Sequence, residues 1–248
     1  MHVLVCIDDT DSLDSIGTGK LAAKIKDTVE ERGWGKCHAI TRHQLYVHPD
    51  IPYTSHNSSM CFPVDLAEPY LESLINYISG YLTSESAAGS DPGLCVAVPG
   101  SLSDPQSLIG FGRRAKGSVL TKSEAYQLAR QLGIHLSEHG GTGGGVIGAL
   151  AGVGLRLSGN DGRFRGKLKI GNVNEALSVD DILAKPGIDR VQPLEGLEVH
   201  NNDLVRLGEK IKTVMMGGKS VLLLSPAEDR DNGEVRWRTC TKEQLKIF

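Results

Sequence analysis

No C-x-x-C pair occurs in this chain; its five cysteines, Cys6, Cys37, Cys61, Cys95 and Cys240, are scattered. That excludes a zinc ribbon, which needs paired thiolates, and it gives no spacing for a disulfide framework. The thiols therefore read as reduced, in a cytoplasmic protein. No apolar stretch approaches the roughly 18 residues that a spanning helix requires. The N-terminus also lacks the design of a signal peptide, so no membrane partner is expected. Positive charge is not in excess: 27 Lys and Arg against 30 Asp and Glu leave a net charge of −3. A chain of that balance has no global attraction for polyanions. Basic residues do cluster locally, at Arg113, Arg114 and Lys116 and again at Arg163, Arg165, Lys167 and Lys169. Such clusters read as solvated faces or small-anion sites. No internal repeat is visible. With 40% apolar residues, 248 residues bury one large core or two smaller ones.

What the chain does have is concentrated between Val3 and Lys20, in V-L-V-C-I-D-D-T-D-S-L-D-S-I-G-T-G-K. The apolar run Val3 to Ile7 has the length and β-branched content of a buried strand. It ends in four carboxylates, Asp8, Asp9, Asp11 and Asp14. Like charges that close raise each other's pKa unless a cation offsets them. Hard oxygen ligands of this kind suit Mg²⁺, which proteins hold through one or two carboxylates plus substrate phosphates. Gly17, Thr18, Gly19 and Lys20 then open a helix whose N-terminus suits phosphate. The competing reading is an acidic, solvated loop with an Asp helix cap. Gly17-Thr18-Gly19-Lys20 is not a P-loop, because Leu21 stands where the Mg²⁺-binding hydroxyl belongs. Asp9-Thr10-Asp11 after a strand also suits an aspartyl-phosphate phosphatase, with Asp9 as nucleophile and Asp11 as acid. That pattern wants a Thr or Val at Leu13 and a later acidic pair on a strand end. The late pair Asp180-Asp181 opens a predicted helix instead.

A second concentration is His139-Gly140-Gly141-Thr142-Gly143-Gly144-Gly145, ahead of a small-residue helix from Val146 to Gly154. Glycines let backbone approach a ligand, and the helix start supplies oriented N–H groups. The formal G-x-G-x-x-G match at Gly143, Gly145 and Gly148 is rejected as a dinucleotide fingerprint, since the loop comes late and no acidic strand end follows at the required distance. His135-Leu136-Ser137-Glu138-His139 spells H-x-x-E-H, but the flanking glycines leave no helix to carry a metalloprotease site. Arg42 and His43 end a predicted strand, and His48, His56 and Asn57 follow in an irregular loop.

Three segments together carry a family resemblance: I-D-D-T-D-S with Thr18 after it, Ile51-Pro52-Tyr53-Thr54-Ser55-His56-Asn57, and Gly145-Val146-Ile147-Gly148-Ala149-Leu150-Ala151-Gly152-Val153-Gly154. With Asp91-Pro92-Gly93 they span roughly residues 1 to 157. The pattern resembles archaeal tRNA(Ile) agmatinylcytidine synthetase, whose corresponding segments read I-P-W-K-T-R-G-N and G-V-I-G-A-L-A-A-I-G. The resemblance implies an ATP- and Mg²⁺-dependent kinase-like domain combined with a ferredoxin-like domain. It implies that Asp8, Asp9 and Asp11 hold Mg²⁺ and that Thr18 matches a threonine the family phosphorylates. On the residues themselves, the helix start at Gly17, Gly19 and Lys20, with Thr10 and Ser12 before it, the loop His139, Gly140, Gly141, Gly143, Gly144 and Gly145, and Arg42 are expected at the nucleotide; the resemblance puts the loop of Asn57 there as well. The family grips tRNA with an OB-fold and a zinc ribbon; the cysteine spacing here has no place for the ribbon, and the last roughly 70 residues look too short for both modules. Its basic Lys and Arg are also missing at Thr54-Ser55-His56.

The expected fold is α+β: residues 1–66 as the first part of a kinase-like domain, 67–120 ferredoxin-like, 121–172 the Gly-rich nucleotide-binding part, and 173–248 an accessory β-rich module. Helices are predicted at about Gly19 to Arg32, Pro69 to Thr83 and Thr121 to Leu132, the last with a Ser123 cap region. Strands are predicted at Lys36 to Arg42, Ser58 to Leu66, Leu94 to Val98 and Ser220 to Ser225, with Pro63 favouring a sheet edge. A compositional break falls near Asn160, and Asn232-Gly233 before Val235-Arg236-Trp237 signals a hairpin. The expected function is ATP- and Mg²⁺-dependent phosphoryl transfer or ligation to a small-molecule acceptor, with tRNA not gripped by this chain alone and a homodimer as one open assembly state. A non-catalytic nucleotide- or metal-binding regulatory protein is the alternative.

Overall fold

The computed structural model describes residues 1–12, 14–53, 56–227 and 235–248. Leu13, Thr54-Ser55 and the Asn232-Gly233 hairpin signal lie outside the described residues. The chain divides into two compact units, Met1–Ser158 and Gly159–Phe248.

The first unit runs β1 (His2–Asp8), α1 (Thr18–Glu31), β2 (Gly35–Cys37), β3 (Thr41–Gln44), β4 (Ser58–Leu66), α2 (Leu71–Glu85), β5 (Gly93–Ala97), α3 (Pro105–Arg114), α4 (Lys122–Leu132), β6 (His135–Glu138) and α5 (Gly145–Leu157). Its antiparallel sheet has the order β6-β5-β1-β4-β3, with β2 also on β4. The strand read from Val3 to Ile7 is thus the middle one, paired to Cys61 and to Cys95 through Cys6. Alternation of side chains along the strands builds two cores. Val3, Val5, Ile7, Phe62, Val64 and Leu94 pack under α1 and α2 through Leu21, Ile25, Leu74 and Ile78. Leu4, Cys6, Cys61, Cys95 and Ala97 face the other way, against Leu108, Phe111, Ala149 and Val153 of α3 and α5. A strand covered on both faces reads as a continuous apolar run, which is why no polar alternation marks β1.

Two expectations need correction. Pro63 is not on an edge: β4 is flanked by β1 on one side and by β2 and β3 on the other. The Pro63 carbonyl accepts from His38 N at 2.8 Å, so its missing N–H points to the same side, where the neighbouring strand is broken between Cys37 and Thr41. Proline is tolerated because that stretch asks no ladder bond of it. For the same reason the single strand expected from Lys36 to Arg42 is two, β2 and β3. The α4 cap is likewise Thr121 rather than Ser123. Its hydroxyl accepts from Glu124 N and the Glu124 carboxylate accepts from Thr121 N, a reciprocal capping box.

α3 has no counterpart among the predicted helices, although its start is marked. The Asp104 side chain accepts from Gln106 N and Ser107 N, and Pro105 fills the first turn. α3 and α5 cross at glycines. A Cβ on Gly154 would lie 2.1 Å from the Leu108 carbonyl oxygen, and one on Gly112 would lie 2.8 Å from the Ala151 oxygen.

The second unit holds β7 (Arg163–Phe164), β8 (Ala176–Ser178), α6 (Val179–Leu183), β9 (Arg190–Pro193), β10 (Leu204–Arg206), β11 (Thr213–Met216), β12 (Lys219–Pro226) and β13 (Val235–Thr239). Its strand order is β7-β11-β12-β13-β10-β8, with β9 parallel on β12. Gly217 and Gly218 join β11 to β12 with φ of 59° and 72°, the double left-handed turn that suits a tight hairpin. Ile182, Val205, Leu222, Leu224 and Trp237 fill one side of the sheet, and Val214, Val221, Leu223 and Leu245 the other. The class is therefore α+β, with few helical residues after Ser158.

The glycine crossing gives a first test. Gly154→Ala forces a methyl into backbone and should cost about 2 kcal/mol or more. Gly110→Ala, in α3 with nothing within 4 Å of the added carbon, should be neutral or gain about 0.5–1 kcal/mol. Urea denaturation of the two variants decides; equal midpoints would mean that the crossing yields at little cost.

Candidate functional site

β1 delivers its carboxylates abruptly. Asp8 ends the strand and is 7% exposed, and Asp9 adopts φ of 49°, left-handed backbone that Asp tolerates better than most residues. That turn redirects the chain into the loop before α1. Thr18, the first residue of α1, is buried there. Its hydroxyl donates to Asp11 Oδ1 at 3.3 Å and accepts from Thr10 Oγ1 at 3.0 Å.

The glycine loop closes on the same place through Asp91, just ahead of β5. Asp91 accepts from Thr142 N at Oδ1 and from Thr142 Oγ1 at 2.6 Å, and its carbonyl accepts from Gly145 N at 3.0 Å. A Cβ on Gly141 would lie 1.8 Å from the Asp91 carboxylate, and one on Gly145 would lie 2.2 Å from the Asp91 carbonyl oxygen. A Cβ on Gly148, in the first turn of α5, would lie 1.7 Å from Asp8 Oδ2. These glycines let α5 lie directly on the acidic end of β1.

The result is a cavity of about 330 Å³ within the first unit. Asp8, Asp9, Asp11, Gly17, Thr18, Gly19, Arg42, Asn57, Gly144 and Gly145 line it. Thr10, Ser12, His139, Gly140, Gly141 and Gly143 do not. Thr10 backs Thr18 through its hydroxyl, and Gly140 and Gly141 pack against Ser90, Asp91 and Pro92. Lys20 is exposed and stands outside the lining. Arg42 donates Nε to Ser58 Oγ at 2.9 Å, and Asn57 is anchored by Nδ2 on the Tyr46 carbonyl at 2.6 Å. Residues that were not singled out as site residues complete the wall: Asp50, Asp91 and Gly148 at the polar part, and Leu45, Ile51, Tyr53, Met60, Val119, Leu120 and Ile147 as apolar surface. Asp91 had a signal, the Asp-Pro-Gly before a strand, and Ile51, Tyr53 and Ile147 lie in segments that carry the resemblance; Leu45, Met60, Val119 and Leu120 had none, since they come from separated segments.

The H-x-x-E-H segment forms β6, an edge strand, as its lack of helix implied. His135 Nε2 and His139 Nε2 both meet Ser137 Oγ, at 2.9 and 2.8 Å.

Charge dominates the polar end. Burial first, and then the neighbouring Asp9, push Asp8 up to about 8. Burial first, and then Asp91 and Asp11, push Asp9 up to about 6. A hydrogen bond from the Asp9 backbone opposes this at Asp8 without cancelling it. Two adjacent carboxyls thus titrate apart, one protonated and one ionised near neutrality. Among the described residues no three metal-ligating side chains converge enough to hold an ion by themselves. The donor set is nevertheless all hard oxygen, and it fits Mg²⁺ completed by water or phosphate oxygens.

No family model and no curated protein matches the sequence. Among solved structures, apo TiaS, described as a tRNA agmatidine synthetase, is 28% identical with a TM-score of 0.53, covering 62% of this chain and 35% of its own. The complex of TiaS with its isoleucine tRNA and ATP is equally similar, at 28% and 0.53, over 62% and 36%. The complex of TiaS with the same tRNA, AMPCPP and agmatine gives 27% and 0.51 over the same shares. The likeness is partial. This chain spans about a third of the length of those proteins, and it resembles a ligase-type enzyme in that part. All the segments that carry the resemblance lie in the first unit.

The raised carboxyls predict a pH signature. Their folded pKa values exceed the unfolded value near 3.8, so from about pH 4 to pH 8 the folded chain holds the extra protons and stability falls as pH rises. In chelator, the melting-temperature difference between Asp8→Asn and wild type should move in the variant's favour from pH 5 to pH 8, by several degrees. A difference that stays flat across that range would show that Asp8 titrates normally.

Proposed function

We propose that the first unit binds ATP together with Mg²⁺ and catalyses phosphoryl transfer or ligation to a small amine-accepting or amine-donating substrate. One observation carries this reading: two helix N-termini and a set of carboxylates meet on one cavity whose remaining wall is apolar. Asp8, Asp9, Asp11, Asp50 and Asp91 line it, against Arg42 as the lining arginine. A triphosphate brought there alone is repelled by those carboxylates, so charge balance requires a divalent ion with it.

Asp8, Asp9 and Asp11 would hold Mg²⁺, directly or through water, and the ion would neutralise phosphate charge. The N–H groups at the start of α1 would then face the phosphates, with Gly144 leaving room beside them. Leu45, Met60, Tyr53 and Ile147 offer an apolar seat for the base. Thr18, held between Thr10 and Asp11, is placed with its hydroxyl at the phosphate end. Positioning and neutralisation supply most of the catalysis that phosphoryl transfer needs. The neighbours named above bind ATP, an ATP analogue and agmatine, which supports a nucleotide and an amine here. This reading places the nucleotide-binding face within Met1–Ser158, in a cytoplasmic protein. No helix among the described residues is long and apolar enough to cross a membrane.

A regulatory protein that binds nucleotide without turnover differs in one measurable way. Incubation with ATP and Mg²⁺, with agmatine or another amine as acceptor, should release ADP or AMP, and chelator should abolish both binding and release. Asp9→Asn should retain the fold and lose turnover by about a hundredfold or more, because it removes charge from the ion's place rather than from the core. ATP bound tightly in wild type with no product over many hours would establish the regulatory reading. Equal ATP affinity in excess chelator would remove the metal from the proposal.

A further inference from the structure

The second unit contains a group of cations that the nucleotide cavity does not use. β7 pairs antiparallel with β11, with Arg163 opposite Val214. Two residues further along that register, Arg165 comes opposite Lys212, just beyond the last ladder pair. Successive residues alternate faces, so Arg163 and Arg165 share one face of the ladder and emerge from core to solvent along it. At the inner end Arg163 is 7% exposed, and its Nε is buried with no hydrogen-bond partner among the described residues. At the outer end Arg165 and Lys167 are exposed. Lys212 is partly buried, and its ammonium donates to the Gly166 carbonyl, which fixes it beside the loop that joins the two.

This arrangement is unfavourable as it stands. Like charges gathered at a strand end repel one another, and an orphaned guanidinium nitrogen forfeits its hydration. Burial first, then Arg165, Arg163 and Lys167, hold Lys212 below the ordinary lysine range. The charges acting on it are all positive. Asp161 acts on Arg163 in the opposite sense, but burial outweighs it there as well. A solvated lysine face does not look like this, because its members point apart and none is buried. Four cations converging from one buried guanidinium outward match a bound oxyanion, which a guanidinium fork and an ammonium hold with charge-assisted hydrogen bonds.

We propose that Arg163, Arg165, Lys167 and Lys212 form a phosphate-group site at the end of the β7–β11 ladder of the second unit. The phosphate is either free, as in pyrophosphate, or part of a nucleic-acid backbone. The full chain is titrated with pyrophosphate and with a labelled single-stranded RNA of mixed sequence, in chelator, so that the acidic cavity has no ion with which to take up either. Wild type should bind pyrophosphate. The double variant Arg165→Gln with Lys212→Gln should lose tenfold or more in affinity while its melting temperature stays the same or rises. If the source is a nucleic-acid backbone, RNA binds too, and the slope of log affinity against log salt falls by about 0.7 for each cation removed. Pyrophosphate bound without RNA assigns the site to a free phosphate. Equal affinity of variant and wild type for both probes, or no binding of either at low salt, overturns the proposal. Asp9→Asn should leave this binding unchanged, which keeps its outcome apart from that of the nucleotide reading.

Discussion

The first unit depends on how closely the backbone of α5 lies on β1. Gly148 leaves room for the Asp8 carboxylate, Gly152 leaves room for Cys6 Sγ and Ser59 Oγ, each 2.4 Å from where its Cβ would be, and Gly154 receives the Leu108 carbonyl of α3. A side chain at Gly148 or Gly152 would lift the helix from the sheet, and one at Gly154 would push it from α3. The start of α5 would then leave the acid cluster, and the cavity would open to water. Packing and site are one constraint here, because the helix that closes the core also presents its positive end to Asp8.

That constraint explains why the carboxyls have abnormal proton affinities. β1 is covered on both faces, so its C-terminal end emerges beneath a helix rather than at the surface. Asp8 inherits the burial of the strand, and Asp9, turned out by its left-handed backbone, meets Asp91 across the glycine loop. Removing solvent raises both, and a divalent ion with a triphosphate is the kind of ligand that would reverse this. Asp91 has a double part: it pins Thr142 and Gly145 while adding to the charge that Asp9 feels. Loop order and electrostatics are coupled through that one side chain.

Much of this was legible in the sequence because its signals are local. An apolar run ending in Asp8-Asp9, a Gly-Thr-Gly before a helical pattern, and a Gly-rich loop before small residues each need only adjacent positions to be read. The strand from Ser58 to Leu66 was legible to the residue, but its place in the sheet was not. Pro63 argues for an edge until the break between Cys37 and Thr41 is known, and that break is a property of a different strand. α3 escaped for another reason: Asp104-Pro105 marks a start, but Gly110 and Gly112 dilute the apolar period that a helix is recognised by. The apolar wall of the cavity was invisible because Leu45, Met60, Leu120 and Ile147 become neighbours only after folding. Three of the four cations of the second unit, Arg163, Arg165 and Lys167, were visible as a cluster with Lys169, but not the burial of Arg163 or the part of Lys212.

The net charge of −3 describes neither unit well. It averages a cavity lined by five carboxylates with a ladder end that carries four cations, and each group is under internal repulsion. Averages of this kind predict long-range steering and solubility, which depend on the far field. They do not predict binding, which depends on charges within a few ångströms of a ligand, where the solvent that would screen them is excluded. Each unit has thus gathered one sign of charge against its own stability, a cost that natural sequences tend to concentrate where a ligand of the other sign is bound. The two clusters need opposite partners, a cation in the first unit and an anion in the second. On the proposed reading, chelator would act on the first and leave the second intact, so the two could be addressed independently in the same chain.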